Sequence, residues 1–267
     1  MKTLLLSGLA AIGILATGFV ATYTPPAADN YTVIKVDGKI TYVKNGKDLI
    51  TGDLFATNEK LKFATQESRA AVISSISGRF VLTPDPKGGE AANLLPAMSN
   101  VATRSGALIN ALDLKNHFSD NYLLLDEMEL KINSEVYPMN NNNFFYLQYE
   151  LNGEVIPKKL DFTEDRLELT ASEIFTIDGK AQPIPASKEM SLYYRDNVNK
   201  KSTKISEFTL VVPNTASLKV ELEVILGELK SKDDEQIRSE ITAYMYEFYG
   251  KPQKENLEDW LTKNMSL

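Results

Sequence analysis

The sequence predicts a mainly β protein with an N-terminal hydrophobic helix, a small β module, a second, sandwich-like β domain and C-terminal α-helices. Three observations predict it. Between residues 31 and 83, short runs rich in Val, Ile, Thr, Tyr and Phe are divided by turn signals at regular spacing, the pattern of hairpin-connected strands. From residue 122 onward, longer runs such as Phe145-Tyr146-Leu147-Gln148-Tyr149-Glu150-Leu151 alternate apolar and polar side chains, as strands with one wet face do. Beyond residue 230, apolar residues at 237, 241, 244, 245 and 248 take up helical spacing, which marks an amphipathic helix.

Composition bounds the function. A chain of 267 residues with 43% hydrophobic and 24% charged residues has ordinary globular composition and room for one large or two ordinary domains. The net charge of −7 argues against a nucleic-acid partner, because phosphate binding needs a basic surface. With no cysteine, disulfides, thiolate metal sites and Cys nucleophiles are excluded. A single histidine, His117, would have to serve any Ser-His-Asp or metal-histidine arrangement. It stands in "LDLKNHFSDN" with no Ser elbow nearby, and a structural or surface role is expected for it.

The first element, residues 1 to 24, is a signal anchor or a signal peptide. After Lys2 the run from 4 to 21 carries no charge, and Tyr23, Pro25 and Pro26 follow. Its length suits either a bilayer span or a shorter export segment cleaved after Ala16-Thr17-Gly18. In both cases the chain after Pro26 is expected across the membrane, with residues 4 to 23 as the membrane contact if they are retained.

The second element spans residues 31 to 86. Asp37-Gly38 and Asn45-Gly46 favour the positive φ angles of tight hairpin turns. "KLKFAT", "SRAAVISS" and "GRFVLTP" continue as strands, and Pro84, Pro86 and "KGGE" close the unit. "KGGE" lacks the spacing and the Lys-Ser/Thr pair of a phosphate loop. The order Val36-Asp37-Gly38, Gly52-Asp53, Thr65-Gln66-Glu67-Ser68, an apolar strand at 70 to 73 and a hairpin centred on Gly78 resembles the FecR-like β domain of bacterial envelope proteins. It departs from that pattern at Ser77, where an acidic residue usually precedes the glycine. The resemblance implies a periplasmic, inner-membrane-anchored or exported sensor or scaffold module that binds another envelope protein. Asp53, Glu67, Ser68 and Arg69, at the turns, are its candidate partner-binding residues.

Residues 87 to 121 mix Gly, Pro and Asn with small and apolar residues and are expected to form a connector with one short helix near 107 to 112. Residues 122 to 226 are expected to form the second β domain, turning at Asn152-Gly153 and Asp178-Gly179. Within it, four asparagines at 140 to 143 run into Phe144, Phe145, Tyr146 and Tyr149. Asn142, Asn143, Phe144 and Tyr146 are a candidate saccharide loop, through ring stacking and amide hydrogen bonds. The competing reading is a solvated turn, since Asn tolerates left-handed conformations.

Residues 231 to 267 are read as helices. Ser231 or Asp233 caps the first, and Gly250 with Pro252 stops it. Asp233, Asp234 and Glu235 lack the alternating ligands and turn glycine of a Ca²⁺ loop and suit a helix N-terminus. "YMYEFY" reads as a core stripe with wet hydroxyls. These helices are expected to pack on the second β domain. No catalytic pair stands out, so the sequence is read as a non-enzymatic envelope protein without a cofactor. The alternatives are a carbohydrate-binding protein and an accessory subunit of a secretion or surface machine.

Overall fold

The structure, a computed structural model, describes residues 30–86, 92–99, 101–104, 108 and 110–267. The expected N-terminal hydrophobic helix lies outside the described residues. Among the described residues, no helix is long and apolar enough to cross a membrane. The architecture is mainly β, with several sheets and with helices at the C-terminus.

The first unit opens with β1 (Asn30–Asp37), which turns at Gly38 into β2 (Ile40–Tyr42). β3 (Leu54–Ala56), β4 (Leu61–Phe63), β5 (Arg69–Ser74), β6 (Gly78–Pro84) and β7 (Ala92–Pro96) follow. They form a five-stranded sheet in the order β3-β1-β5-β6-β7, with β2 and β4 paired separately. β7 therefore puts part of the expected connector at the edge of this sheet. Ala70, Ala71, Val72 and Ile73 of β5 are all fully buried. Such a continuous apolar run requires cover on both faces. On one face Tyr31, Val33, Val72 and Leu82 pack with Ile40, Tyr42 and Leu61 of the β2–β4 pair. A bulge in β1 between Val33 and Lys35 puts Ile34 and Lys35 together on the other face.

That other face is covered by three helices. They are α3 (Thr215–Glu228), α4 (Asp234–Phe248) and α5 (Lys254–Met265), and they come after α1 (Ala111–His117) and the one-turn α2 (Ala171–Ile174). Ile34, Ala71, Ile73 and Val81 share a core with Leu218, Leu222 and Ile225 of α3, Ile241 and Tyr244 of α4, and Trp260 of α5. This corrects in part the expectation that the C-terminal helices pack on the second β domain: α4 packs on the first unit's side, while Asn256 and Trp260 of α5 also bond Glu127 and Asp126 of the second unit. Ile34, Ala71, Ile73 and Val81 make the back of the first sheet apolar, and burial of apolar area drives such docking. Polar contacts fix the register. Glu221 of α3, 5% exposed, accepts from Lys35 (3.4 Å), Tyr244 (2.7 Å) and Tyr249 (2.5 Å), and Glu228 accepts from Thr32 (2.6 Å).

α3 is a second correction, because it lies inside the range expected to be β. The order Lys219-Val220-Glu221-Leu222-Glu223-Val224 alternates like a strand. Leu218, Leu222, Ile225 and Leu229 also repeat at helical spacing, and Asn214 decides the outcome by capping Ser217 N (3.0 Å). The short helix of the connector likewise forms later than expected, at Ala111–His117. There Asn110 and Asp113 make a reciprocal capping box.

The second unit contains β8 (Asn121–Leu123), β9 (Glu127–Lys131), β10 (Asn143–Leu151), β11 (Glu154–Lys159), β12 (Asp161–Thr163), β13 (Arg166–Thr170), β14 (Thr176–Ile177), β15 (Lys180–Ala181), β16 (Ser187–Asp196) and β17 (Lys201–Val211). One sheet has the order β11-β10-β16-β17-β8 and a smaller one β12-β13-β9. Phe145, Leu147 and Tyr149 of β10 meet Leu130 of β9 and Leu167 and Leu169 of β13 in a single core. Residues 122 to 125 stitch the two units together: Tyr122 and Leu124 enter this core, while Leu123 and Leu125 enter the helical one. Asn256 of α5 holds the seam, accepting from Leu125 N (3.0 Å) and donating to the carbonyls of Leu125 (2.9 Å) and Glu127 (2.8 Å).

Candidate functional site

The four turn residues of the first unit do not form one surface. Asp53 Oδ2 accepts from Ile50 N (3.1 Å), and its carbonyl accepts from Val33 N (2.9 Å). It also faces the Tyr42 hydroxyl, whose pKa is pushed up to about 12, mainly by burial and then by Asp53 and Glu59. Ser68 is 2% exposed, and its hydroxyl closes the corner by accepting from Thr65 N (3.2 Å). Gly38, at φ +80°, passes so close that an added Cβ would lie 2.7 Å from Ser68 Oγ. Arg69 bonds Asp37 (3.3 Å) and lies over the Phe248 ring at 4.4 Å. Glu67 alone of the four is exposed.

The Asn-aromatic stretch is arranged differently. The Asn140 side chain accepts from Asn142 N (2.8 Å) and Asn143 N (3.0 Å), so the asparagine run is first of all a turn clamp. The Asn143 side-chain oxygen is buried without a partner. Beyond it β10 alternates, with Phe145, Leu147 and Tyr149 turned into the core and Phe144, Tyr146 and Gln148 on the outer face. Strand pairing sets Tyr193 of β16 opposite Tyr146, and Arg195 opposite Phe144. Tyr146 and Tyr193 stack with centroids 5.0 Å apart and planes 13° apart. Lys159 of β11 lies over Phe144 (4.9 Å), and Lys204 of β17 over Tyr193 (6.0 Å). A hydrogen bond to Glu207 raises the pKa of the exposed Lys204.

The ring row leads into a shallow trough of about 1050 Å³ on the same sheet, bordered by Asp120, Gln148, Glu150, Glu189, Ser191 and Glu207. The face thus carries aromatic bodies at one end and carboxylates, an amide and a hydroxyl at the other, groups that stack on apolar faces and hydrogen-bond hydroxyls respectively. Phe144 and Tyr146 are legible in the sequence. Tyr193, Lys159, Arg195 and Lys204 are not, because strand pairing alone brings them there. The alternation of "MSLYYRD" hints at the side each residue takes but not at its neighbour.

A second groove, about 880 Å³, lies between β9, β13 and the start of α5 and has His117 in its wall. The imidazole Nε2 is 2.9 Å from the Tyr122 hydroxyl. Arg104 lies over the Tyr122 ring and donates to the carbonyls of Lys251, Asn116 and Ser119. No carboxylate or serine bonds the imidazole among the described residues, so the arrangement is not that of a nucleophile and base. Among the described residues, no group of three or more His, Asp or Glu is placed to hold a metal ion.

Burial pushes His117 down to about 4, with Arg104 and Lys251 adding to the shift. The unfolded chain takes up a proton near the ordinary value of 6.5, while the folded chain resists until about 4. The unfolded state therefore binds more protons between those values, and stability falls as pH drops through that window. Between pH 7 and pH 5 the wild type is expected to lose about 2 kcal/mol from this group. A His117→Gln variant should show a flatter urea-denaturation profile over the same range, and an unchanged slope would contradict the assignment.

No protein-family model matches the chain, and no curated protein matches it. Among solved structures, the fold is similar to the CupB6 tip adhesin from Pseudomonas aeruginosa only at TM-score 0.15 and 8% identity, over 71% of this chain and 80% of that one. A likeness of that size carries no argument.

Proposed function

We propose that the protein is a non-catalytic binding protein of the bacterial cell envelope whose ligand is a saccharide held on the outer face of the second unit's larger sheet. The observation that supports this is the Phe144, Tyr146 and Tyr193 row running into the polar trough. Sugars present C–H faces to rings and hydroxyls to amides and carboxylates, and strands hold such groups more rigidly than loops do. The two tyrosine rings cover one face of each other, and in this reading the sugar meets their edges and hydroxyls and displaces the exposed Lys159 from the Phe144 face. A nucleic-acid strand also uses rings and cations, but Asp120, Glu150, Glu189 and Glu207 at the trough repel phosphate. In this reading the two facing sheets of the second unit are a sandwich-like scaffold, and the apolar N-terminal run directs the chain to the envelope.

The test is a glycan array with the purified full-length protein. Phe144→Ala and Tyr146→Ala, both on the outer face, should weaken saccharide binding at least tenfold while leaving the thermal transition in place. Absence of any bound glycan, or binding untouched by both changes, would sink this reading.

The first unit supports a second reading, as a FecR-like module that docks an envelope protein. Its back is covered by the protein's own helices, so a partner must approach the β2–β4 side. There a recess of about 790 Å³ is bordered by Thr41, Val43, Lys62, Ala64 and Gln66, next to the exposed Glu67. Loss of a co-purifying envelope protein on Glu67→Arg or Lys62→Glu would separate this contact from saccharide binding.

A further inference from the structure

We infer that the end of the first sheet carrying Ile76 seats in the lipid headgroup layer, so that the first unit stands end-on against the bilayer. The inference rests on the reading of the N-terminal apolar run as a retained membrane anchor. Its structural ground is separate. β1 begins at Asn30, and β5 runs antiparallel to it with Ile73 opposite Thr32. The turn joining β5 to β6 therefore projects from the end of the sheet at which the chain enters. The apex of that turn is Ile76, 87% exposed, in "SSISG", where turn chemistry ordinarily places a small or polar residue.

The apex is held in place. Ser74 Oγ accepts from Ile76 N (3.3 Å), and Glu228 of α3 accepts from Ser75 N (3.1 Å). Glu228 also brings the end of α3 to the same place, followed by the exposed Lys230 and Lys232. Met98, 47% exposed, follows β7 at this end, since Phe80 pairs with Pro96. Apolar apices flanked by lysines whose ammonium groups reach outward suit the bilayer interface.

Chain length points the same way. Between Lys2 and Asp29 there is no charged residue, and eight residues separate Ala21 from Asn30. At full extension eight residues reach at most about 28 Å. A membrane-inserted run up to Ala21 therefore keeps the Asn30 end of the sheet within about 28 Å of the lipid. The opposite end, where Asp37 pairs with Arg69 beside the exposed Glu67, lies about 25 Å farther away along β1.

The absence of cysteine makes the test clean. Ile76→Cys and Met98→Cys in the full-length chain, with Glu67→Cys as the distal control, are spin-labelled and reconstituted into phosphatidylcholine–phosphatidylglycerol vesicles. The expected result is an oxygen-to-nickel collision ratio several-fold higher at 76 and 98 than at 67. Flotation with the vesicles but equal ratios at all three positions would overturn the inference and leave the anchor reading intact. Failure to float would overturn the anchor reading, and the inference with it.

Discussion

Arg79→Ala is expected to lower the unfolding free energy by about 3–5 kcal/mol, the usual result of removing one partner from a buried ionic cluster. The Arg79 side chain is 1% exposed. It reaches Glu240 of α4 at 2.5 Å, Glu247 two turns further along the same helix face, and the carbonyl of Met98 at 3.0 Å. Truncation leaves two carboxylates facing each other against the back of the first sheet without a cation. Arg79→Lys should fail in the same direction, because a single ammonium cannot copy a planar fork that serves three acceptors. In a chain of this size the Tm should fall on the order of 10 °C. A triple variant with Arg79→Met, Glu240→Gln and Glu247→Gln should recover much of the loss, since no charge is then stranded. An effect below about 1 kcal/mol, as for a surface pair, would mean that the apolar seam alone holds the helices to the sheet.

This cluster bears on function because it joins the first unit and the C-terminal helices into one body. With Ile34, Ala71 and Ile73 fully buried under α3 and α4, the first unit has no free second face. Any partner is restricted to the β2–β4 side or to the ends of the sheet.

What could be read in the sequence is what depends on neighbours in the chain. Asn152-Gly153 and Asp178-Gly179 both take positive φ, as their dipeptides require, and the cap at Asp233 forms by accepting from Gln236 N (2.8 Å). The mainly β class with C-terminal helices follows from such local signals. What could not be read depends on pairing between distant segments. The row of Phe144, Tyr146 and Tyr193 exists because β10 and β16 lie side by side in one register. A shift of one residue would turn the other set of side chains outward. Ser68 and Arg69 mislead for the same reason: a Thr-Gln-Glu-Ser corner looks exposed until Gly38 closes on Ser68 and Phe248 arrives under Arg69.

Gly250→Ala is the second large effect expected, and it tests the junction between the two units. Gly250 has φ +123°, a conformation in which an L-residue is strained by roughly 1–3 kcal/mol. Space is a second obstacle. A Cβ there would lie 2.5 Å from the Asn121 carbonyl oxygen and 2.7 Å from Asn121 Cβ, and backbone does not yield as a flexible side chain does. Asn121 itself is held, because Arg104 donates to its carbonyl (3.4 Å). Tyr122 bridges Lys251, and Arg104 N donates to Pro252 O (2.7 Å). Relief of the clash must therefore pull Tyr122 from its stack on Phe118, where the centroids are 4.8 Å apart. The combined cost is expected to be about 3–4 kcal/mol, in the range reserved for strained backbone and core disruption. Gly78→Ala is the reference: its φ is +80° with nothing within 4 Å of the added carbon, so only about 1 kcal/mol of backbone strain is expected. Urea denaturation followed by the fluorescence of Trp260, the chain's one tryptophan, reads the seam directly, since its indole N–H bonds Asp126 (3.1 Å). If Gly250→Ala proved no worse than Gly78→Ala, the two units would be free to shift at residues 121 and 250, and the outer face carrying Phe144 and Tyr146 would not be rigidly fixed relative to the first unit.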